Sequence, residues 1–478
     1  MASLLSAFDA AVARWPDRVA LIDGRGHSTS FAALGRRARG LARAWHARGI
    51  GPGDRVLLAM RLDADLYAGL AALWSLGATV VLPEPAMGLA GLRHAARLPG
   101  LRAFCSSGAY GALPFVLPSL WRLTRLRPHP AAGPALALTP PDEDVFALIS
   151  FTSGTTGTPK AIPRSHAFLS AQRQAVAPVL DSAVGERDLV TFPVFVLINL
   201  AQGRTSILPG WRMTRLRHLS AQTLSDWVAR HGATRALLPP ALCDKLADAP
   251  IPPQLHTVFT GGGPVFPDIL IRLREARPGL RVVCVYGSTE AEPIAHLEAT
   301  ALSQTDLDRM RAGDGLLVGT PEPDLHLRIE DDEILVAGPH VNAGYLDPRH
   351  DAENKVNRDG VIWHRTGDAG RRDAAGRLWL LGRHGSEVEV KGKRVLPFTV
   401  EVAARFWPGV RQAALVSHRK APCLVLEGDP AHLPTWQRRA SALGLSGVVP
   451  LDAIPMDRRH ASKIDRRALS VMLARHST

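Results

Sequence analysis

The chain has 478 residues, of which 46% are hydrophobic and 21% charged. These values are close to those of soluble globular proteins, so the composition excludes wholesale disorder, collagen-like repeats and a polytopic membrane protein. The formal charge is +13, but the arginines are scattered and no recognition motif accompanies them, so nucleic acid is not an expected partner. Four widely spaced cysteines without a CxxC pair predict free, mostly buried thiols in a reducing cytoplasm.

Helices and strands alternate along the first part of the chain. Residues 31–50 have helical spacing of apolar positions, residues 55–60 form a short apolar run, and a second helix and strand are predicted at 65–76 and 78–82. The apolar run at 66–82 is shorter than the ~20 residues that a spanning helix needs, so no transmembrane segment is expected. This order predicts an α/β architecture with mostly parallel strands.

Further strand-like runs follow between residues 145 and 381. They lie at residues 145–150, 236–238, 257–259, 282–285, 325–329, 333–336 and 378–381. From Leu378 onward the segments are shorter and more β-like, with another helix near 400–406. A domain boundary near Arg383, followed by a small α+β domain, is therefore predicted.

The strongest functional signal is Phe-Thr-Ser-Gly-Thr-Thr-Gly-Thr-Pro-Lys at residues 151–160, directly after a buried strand. Its glycines bring backbone N–H groups close to an anion, its hydroxyls add donors, and Lys160 adds a positive charge. This pattern predicts a site for triphosphate oxygens, although it is not the Walker A sequence. A polar surface loop is the less favoured alternative. The predicted contacts are Thr152, Ser153, Gly154, Thr155, Thr156, Gly157 and Lys160.

The loop resembles the phosphate-binding signature of the adenylate-forming superfamily, which includes acyl-CoA synthetases, adenylation domains and luciferases. Ala161 stands where that signature usually has glycine. Later segments match the same family in the same order, so the resemblance extends over nearly the whole chain. It implies a large N-terminal adenylation domain of packed α/β subdomains at 1–382, a hinge at 383–386 and a small mobile C-terminal α+β domain at 387–478.

A second match is the run Tyr-Gly-Ser-Thr-Glu at residues 286–290, after another predicted strand. Tyr286 can stack on an adenine face, Thr289 can donate to a phosphate oxygen, and Glu290 can hold Mg²⁺, which prefers carboxylate and phosphate oxygens. Gly287 and Ser288 belong to the same nucleotide-binding run. Thr-Glu after a strand is commonly a helix cap, but its combination with the phosphate loop favours the functional interpretation.

Three more segments take their roles from the resemblance. Gly261, Gly262 and Gly263 match the stretch that passes beside the adenine and the acyl group. Asp368 and Arg383 match the residues that bind the ribose hydroxyls. Lys463 matches the lysine of a mobile C-terminal loop, and a cation there can stabilise charge between the carboxylate and the α-phosphate.

The resemblance implies AMP-forming activation of a carboxylic acid, most simply a fatty acid, with ATP and Mg²⁺. Coupling the carboxylate to AMP gives a mixed anhydride that a nucleophile can open, and Lys463, Thr155 and Glu290 are the implied catalytic residues. The second step then passes the acyl group to CoA or to the phosphopantetheine thiol of a carrier protein. An acyl carrier protein or pathway enzymes are the implied macromolecular partners.

Two alternatives remain open. Residues 84–88, 191–196, 291–295 and 457–460 and Gly203 resemble the olefin-pathway β-lactone synthetases, a branch in which a β-hydroxy acid is adenylated and closes on itself without CoA. Glu389, where the family often has lysine after the hinge, also departs from the thioester-forming pattern. The other alternative is a non-enzymatic nucleotide-binding relative. Retention of Lys160, Glu290, Asp368 and Lys463 argues against it.

Overall fold

The structure, a computed structural model, describes residues 3–84, 87–133, 136–152, 159–180, 182, 185–457 and 461–475. The strands are β1 (Val19–Ile22), β2 (Ser28–Ser30), β3 (Arg55–Ala59), β4 (Thr79–Val81), β5 (Leu101–Ser106), β6 (Thr124–Leu126), β7 (Phe146–Thr152), β8 (Lys160–Ser165), β9 (Arg187–Val190), β10 (Thr205–Ile207), β11 (Arg235–Leu238), β12 (Thr257–Gly261), β13 (Arg281–Ser288), β14 (Ala291–Glu298), β15 (Leu316–Pro321), β16 (His326–Glu330), β17 (Glu333–Ala337), β18 (Lys355–Arg358), β19 (Val361–Arg372), β20 (Leu378–Arg383), β21 (Val388–Val390), β22 (Lys393–Val395), β23 (Val410–His418), β24 (Ala421–Gly428) and β25 (Gly447–Leu451).

The helices pack on these strands. They are α1 (Leu4–Arg14), α2 (Phe31–His46), α3 (Ala64–Ser75), α4 (Gly88–Ala95), α5 (Leu113–Val116), α6 (His166–Leu180), α7 (Pro193–Ala201), α8 (Ala221–Arg230), α9 (Pro240–Leu246), α10 (Pro267–Ala276), α11 (Gln304–Arg311), α12 (Asp351–Asn354), α13 (Pro397–Ala404), α14 (Leu433–Ala442) and α15 (Arg466–Arg475).

Local sequence explains where α2 and α3 begin and which faces they bury. The Ser30 hydroxyl accepts the N–H of Ala33 at the start of α2, and the Asp63 carboxylate accepts the N–H groups of Asp65 and Leu66 at the start of α3. Residues 66–74 of α3 are all buried, as expected for a helix that is apolar all round. The predicted helix and strand at 65–76 and 78–82 are therefore confirmed as α3 and β4.

Two sheets form the large N-terminal part. The smaller has the order β6-β5-β3-β4-β7-β8, and the larger has fourteen strands in the order β16-β17-β19-β20-β15-β14-β13-β12-β11-β9-β10-β1-β2, with β18 beside β19. Strands β9 to β13 pair in parallel, as predicted. From β13 to β20 the pairing is antiparallel, so the expectation of mostly parallel strands is wrong there. The reason is connection length, because only two residues separate β13 from β14.

A smaller C-terminal domain follows β20. It contains the hairpin of β21 and β22, the three-stranded sheet β23-β24-β25 and helices α13 to α15. Its own core includes Trp407, Trp436 and Leu424. All four cysteines are free and buried, as predicted. None of the described helices combines the length and apolar character that crossing a bilayer requires.

Candidate active site

Tyr286, Asp368 and Arg383 meet although they lie far apart in the chain. The hydroxyl of Tyr286, near the end of β13, donates to Asp368 Oδ2 at 2.8 Å, and Arg383 Nη1 donates to Asp368 Oδ1 at 2.9 Å. Asp368 and Arg383 are register partners on β19 and β20. Burial, and then the charge of Asp368, raise the pKa of Tyr286 well above 10. The phenol therefore remains a hydrogen-bond donor at neutral pH.

Asp368 lies within β19, which runs through residues 361–372, and Arg383 is the last residue of β20, so the strand predicted at 378–381 extends to Arg383. Gly367, just before Asp368, has a φ of 70°, a left-handed conformation that favours glycine. The adjacent positions of the two residues on paired strands hold their side chains together.

Glu290 is the last residue of the β13–β14 turn, directly before β14, and is 9% exposed. The Tyr345 hydroxyl donates to Glu290 Oε1 at 2.8 Å. Burial acts to raise the pKa of this carboxyl, but electrostatic interactions with His364 and Lys355 and the hydrogen bond from Tyr345 outweigh it, and the pKa is lowered overall. Glu290 is consequently a buried carboxylate anion at neutral pH.

Two lysines lie close to the ring of Tyr345, whose hydroxyl donates to Glu290. Lys160 Nζ is 5.6 Å and Lys355 Nζ 5.5 Å from the centre of the Tyr345 ring. Lys160 is 7% exposed and donates to Asn354 Oδ1 at 3.1 Å. Lys355 donates to the carbonyl of Asn342, and burial lowers its pKa to about 8. The phosphate-loop lysine and the predicted metal carboxylate thus belong to one polar cluster.

The sequence analysis did not identify Tyr345, Lys355 or His364 as site residues. Burial, and then the charge of Lys355, lower the pKa of His364 to about 4. Its Nδ1 lies 3.1 Å from the carbonyl of Asn354. One signal was available, because the chain has few lysines, but Asp351 four positions earlier makes an ordinary helical ion pair an equally simple interpretation of Lys355.

The phosphate loop itself is described only at its two ends. Thr152 and Lys160 are register partners at the ends of the antiparallel strands β7 and β8. The predicted contacts Ser153, Gly154, Thr155, Thr156 and Gly157 lie outside the described residues.

The glycines that were predicted to approach the nucleotide also permit close packing within the protein. A Cβ on Gly261 would lie 2.5 Å from the carbonyl oxygen of Val285, and one on Gly287 would lie 2.9 Å from that of Ala291. Gly262 has a φ of 75°, which favours glycine. These positions therefore require glycine whether or not a nucleotide is bound.

Ser288 and Thr289 shape the turn between β13 and β14. The Ser288 hydroxyl accepts the N–H groups of Glu290 and Ala291, both at 3.2 Å. Arg164 Nη2 donates to the carbonyl of Thr289 at 2.7 Å. Ser288 therefore orients the Glu290 backbone, which is a role in the turn that sequence reasoning did not assign to it.

An apolar cavity lies at the carboxyl end of β12, where Gly261 and Gly262 are part of its lining. The residues that line it come from α6, α7 and the central strands and are Val176, Val179, Leu180, Phe192, Phe195, Leu237, Phe259, Thr260, Gly261, Gly262, Val285, Glu292 and Pro293. Gly261 and Gly262 belong to the stretch that was predicted to pass beside the adenine and the acyl group, and Phe192 and Phe195 belong to the 191–196 segment that resembles the β-lactone synthetases. Helix α6 and Glu292 were not anticipated.

The segment that holds Lys463 packs against the N-terminal part. Asp457 Oδ1 accepts the backbone N–H groups of Ser462 and Lys463 at 2.9 and 2.8 Å. The Ser462 hydroxyl accepts the N–H of Ala241 at 3.3 Å, and a Cβ on Gly263 would lie 2.6 Å from Ser462 Cβ. Residue 463 is exposed and stands beside the glycine segment at 261–263.

An ion pair supports this contact between the domains. Arg405 of α13 donates to both carboxylate oxygens of Asp268, at 2.8 and 2.6 Å, and its guanidinium carbon lies 4.3 Å from the centre of the Phe266 ring. Arg405 is 7% exposed. A bidentate, largely buried pair of this kind fixes orientation as well as distance.

The chemistry of the donor groups fits a magnesium ion with bound phosphates. The part of the chain that the structure describes has no group of three or more His, Cys, Asp or Glu side chains arranged for a metal. Mg²⁺ usually binds through one or two carboxylates together with substrate phosphates and water. The buried carboxylate of Glu290 is the type of hard oxygen group that such a site uses.

Comparisons with known proteins identify the family of this chain. The model of the AMP-binding enzyme family matches residues 8–346. The chain belongs to this family, and it is an adenylate-forming enzyme of the ligase and synthetase type.

Two curated relatives match over nearly their whole length. The olefin β-lactone synthetase of Stenotrophomonas maltophilia is 30% identical over 92% of this chain and 90% of its own length. That of Xanthomonas campestris pv. campestris is 29% identical over 93% and 91%. Among solved structures, the O-succinylbenzoate coenzyme A synthetase of Bacillus subtilis, in complex with ATP and magnesium ion, has a TM-score of 0.79 and 20% identity over 98% of this chain and 99% of that chain. The predicted fold of a large N-terminal and a smaller C-terminal domain is confirmed.

Proposed function

We propose that the protein adenylates a β-hydroxy carboxylic acid with an apolar chain, and that the β-hydroxyl then closes a β-lactone with release of AMP. The observation that carries this proposal is the full-length similarity to the two olefin β-lactone synthetases. Because of this similarity, we prefer lactone closure to transfer of the acyl group to CoA or a carrier protein, which the family resemblance alone favoured.

The apolar cavity supports a hydrophobic acid as the substrate. Its lining is largely aliphatic and aromatic, and Gly261 and Gly262 connect it to the Tyr286 strand. Burial of each methylene of an alkyl chain there would contribute about 0.8 kcal/mol. A fatty acid derivative therefore fits better than a small polar acid.

The nucleotide would lie across the polar cluster. We assign the ribose hydroxyls to the Asp368 carboxylate, which Tyr286 and Arg383 orient, and the adenine to the region of Tyr286 and Gly261. The triphosphate is assigned to the 152–160 loop and Lys160. Mg²⁺ would be held by Glu290 and would neutralise phosphate charge. These assignments agree with the ionised state of Glu290 and with the position of Lys160.

The reaction has two steps that balance without a further reactant. In the first, a carboxylate oxygen of the acid attacks the α-phosphorus of ATP, and the bond to pyrophosphate breaks. In the second, the β-hydroxyl oxygen attacks the acyl carbon, AMP leaves with the bonding electrons, and the hydroxyl proton passes to solvent. The protein mainly orients groups and compensates charge, as is usual for phosphoryl-type transfers.

We assign charge compensation in the first step to Lys463. The packing of Ser462 on Gly263 brings its segment to the acid-binding end of the cavity. Mobility of the C-terminal domain is part of the proposal, with residues 383–386 as the hinge. Gly385, with a φ of 80°, can absorb a dihedral change there. Four buried, free cysteines support a reducing location such as the cytoplasm.

The test is product analysis with purified protein, ATP, Mg²⁺ and 3-hydroxydecanoate or decanoate, each with and without CoA. AMP release and a β-lactone from the hydroxy acid without thiol are the expected result. Release that requires CoA would contradict lactone closure and assign a thioester-forming ligase. The absence of AMP with every acid would leave a nucleotide-binding relative instead.

A further inference from the structure

A short segment on the outside of the smaller sheet exposes large apolar side chains. Phe115 is 86% exposed, Trp121 72% and Val116 51%. The Trp121 indole donates to the carbonyl of Pro114 at 2.6 Å, which holds its ring beside helix α5. We propose that this apolar tip, formed by Phe115, Val116 and Trp121, inserts into the surface of an anionic lipid bilayer. The inference goes beyond the proposed reaction, since such binding requires neither ATP nor an acid.

The residues between these side chains anchor the segment to the protein. Leu113, Leu117 and Leu120 are buried, and they share one apolar cluster with Phe104 and Ile149 of the smaller sheet. Because the three leucines fill the inward side, the apolar tip projects outwards from a fixed base. Large apolar side chains exposed together commonly mark a surface that contacts a partner or a membrane.

Positive charge accompanies the apolar tip in the same part of the sequence. Residues 85–141 contain no Asp, Glu or Lys, and their six arginines are Arg93, Arg97, Arg102, Arg122, Arg125 and Arg127. All six are exposed. Within the part of the chain that the structure describes, none of the six forms an ion pair. Six arginines without an acidic residue contribute nearly half of the formal charge of +13.

Several of these arginines lie on the side of the sheet that bears the apolar tip. Arg125 of the edge strand β6 is the register partner of Phe104, which packs in the cluster beneath α5. Register partners on neighbouring strands point to the same face, so Arg125 lies on the face that α5 covers. On α4, Arg93 is exposed and Leu92 beside it is buried in that same cluster. Since Arg122 directly follows the tip, basic and apolar groups share one surface.

An anionic bilayer matches both kinds of group. Trp and Phe rings are favoured at the level of the lipid headgroups, where the apolar part of the ring leaves water. Burial of one large apolar side chain corresponds to about 10- to 150-fold in a binding constant, and each arginine near an anionic surface adds about fivefold. A second copy of this chain matches less well, because a two-fold dimer through this surface would bring the same arginines against each other.

The experiment is co-sedimentation of the purified full chain with vesicles of phosphatidylcholine alone or of an equal mixture with phosphatidylglycerol. We expect binding to the mixed vesicles at low salt, and weaker binding as salt screens the arginines. Phe115→Ser/Trp121→Ser should lower the partition coefficient about tenfold or more. Arg122→Gln/Arg125→Gln should lower it about 25-fold on the mixed vesicles and leave phosphatidylcholine unaffected.

Matched controls remove the same kinds of group from other surfaces. Ile362→Ser removes an apolar side chain of β19 that is 47% exposed. Arg230→Gln/Arg274→Gln lowers the net charge by the same amount at exposed positions of α8 and α10. Both controls should bind the mixed vesicles nearly as the wild type does. All the variants should keep the wild-type thermal unfolding midpoint and the wild-type rate of pyrophosphate exchange.

Quenching of tryptophan emission by brominated acyl chains measures insertion directly. Trp121→Phe should remove most of the quenching and retain most of the binding, because the phenylalanine ring still inserts. Quenching that persists in this variant would place another tryptophan in the bilayer and refute the assignment.

The remaining outcomes decide between occupants of this surface. No binding to the mixed vesicles, or equal binding of tip variants and controls, would overturn the proposal. Arginine-dependent binding to a DNA duplex without vesicle binding would assign the surface to nucleic acid, and self-association that Phe115→Ser abolishes without vesicle binding would assign it to a second copy. Vesicle binding is measured without ATP or acid, so its failure would leave the proposed reaction untouched, and failure of the reaction would leave this inference intact.

Discussion

Gly263 permits a close contact between the Lys463 segment and the N-terminal part. Its φ is not in the left-handed region, so alanine meets no backbone obstacle there, but the added Cβ would lie 2.6 Å from Ser462 Cβ. Real Cβ atoms do not approach so closely, and either the strand end or the Lys463 segment must move. We expect the segment to move, because Gly261 just before it is fixed on a central strand.

The size of the effect follows from the cost of overpacking, about 1–3 kcal/mol. If overpacking destabilises the domain arrangement in which Lys463 lies at the site by this amount, Gly263→Ala lowers the rate of adenylation by about 5- to 150-fold. Ordering of the rest of the chain should not change, so the thermal unfolding midpoint should remain near that of the wild type.

The double variant Gly263→Ala/Ser462→Gly provides the matched control. It removes the Cβ that the new methyl group would meet, and Ser462→Gly alone measures the loss of the Ala241 hydrogen bond. We expect pyrophosphate exchange in the double variant to recover most of the activity that Gly263→Ala loses, and the three variants together give the coupling energy between the two positions. Equal activity of the two, or an unchanged rate in Gly263→Ala, would refute the proposal that this contact positions the catalytic segment.

Three further predictions concern single side chains. Lys463→Ala should abolish most adenylation while a preformed acyl-adenylate still reacts onward, and equal loss of both half-reactions in separate assays would contradict its assigned role. Asp368→Ala should weaken ATP binding about 10- to 100-fold by calorimetry, whereas Asp347→Ala, in an exposed pair with Arg349, should not. His364 has a pKa of about 4 in the fold against 6.5 when unfolded, so it is neutral when buried. Its contribution to stability is full above pH 6.5 and falls by up to about 1.4 kcal/mol per pH unit down to pH 4. In denaturation series, His364→Asn should flatten this slope, and a slope equal to that of the wild type would exclude the effect.

The chain's linear order was sufficient for the main classification. Hydroxyl, glycine and lysine positions after a buried strand are local features, and they predicted a phosphate site that the family match then supported. The helix and strand at 64–81 followed from periodicity alone. The register of β19 and β20 could not be predicted in this way, because it depends on a pairing between strands rather than on either strand's own pattern.

Local pattern determined which residue types this protein has for binding phosphate, and tertiary structure decided which of them meet. Tyr286 and Asp368 touch because β13 and β19 belong to one sheet, and Tyr345 reaches Glu290 from 55 positions away. The sequence did not indicate that Glu292 borders the cavity, because an acidic residue close to Glu290 is expected at the surface. Only the packing of α6 and α7 beside it forms the cavity. Burial and the pKa of Glu290, Lys355 and His364 arise only from that packing, because desolvation depends on neighbours that the chain brings together in three dimensions.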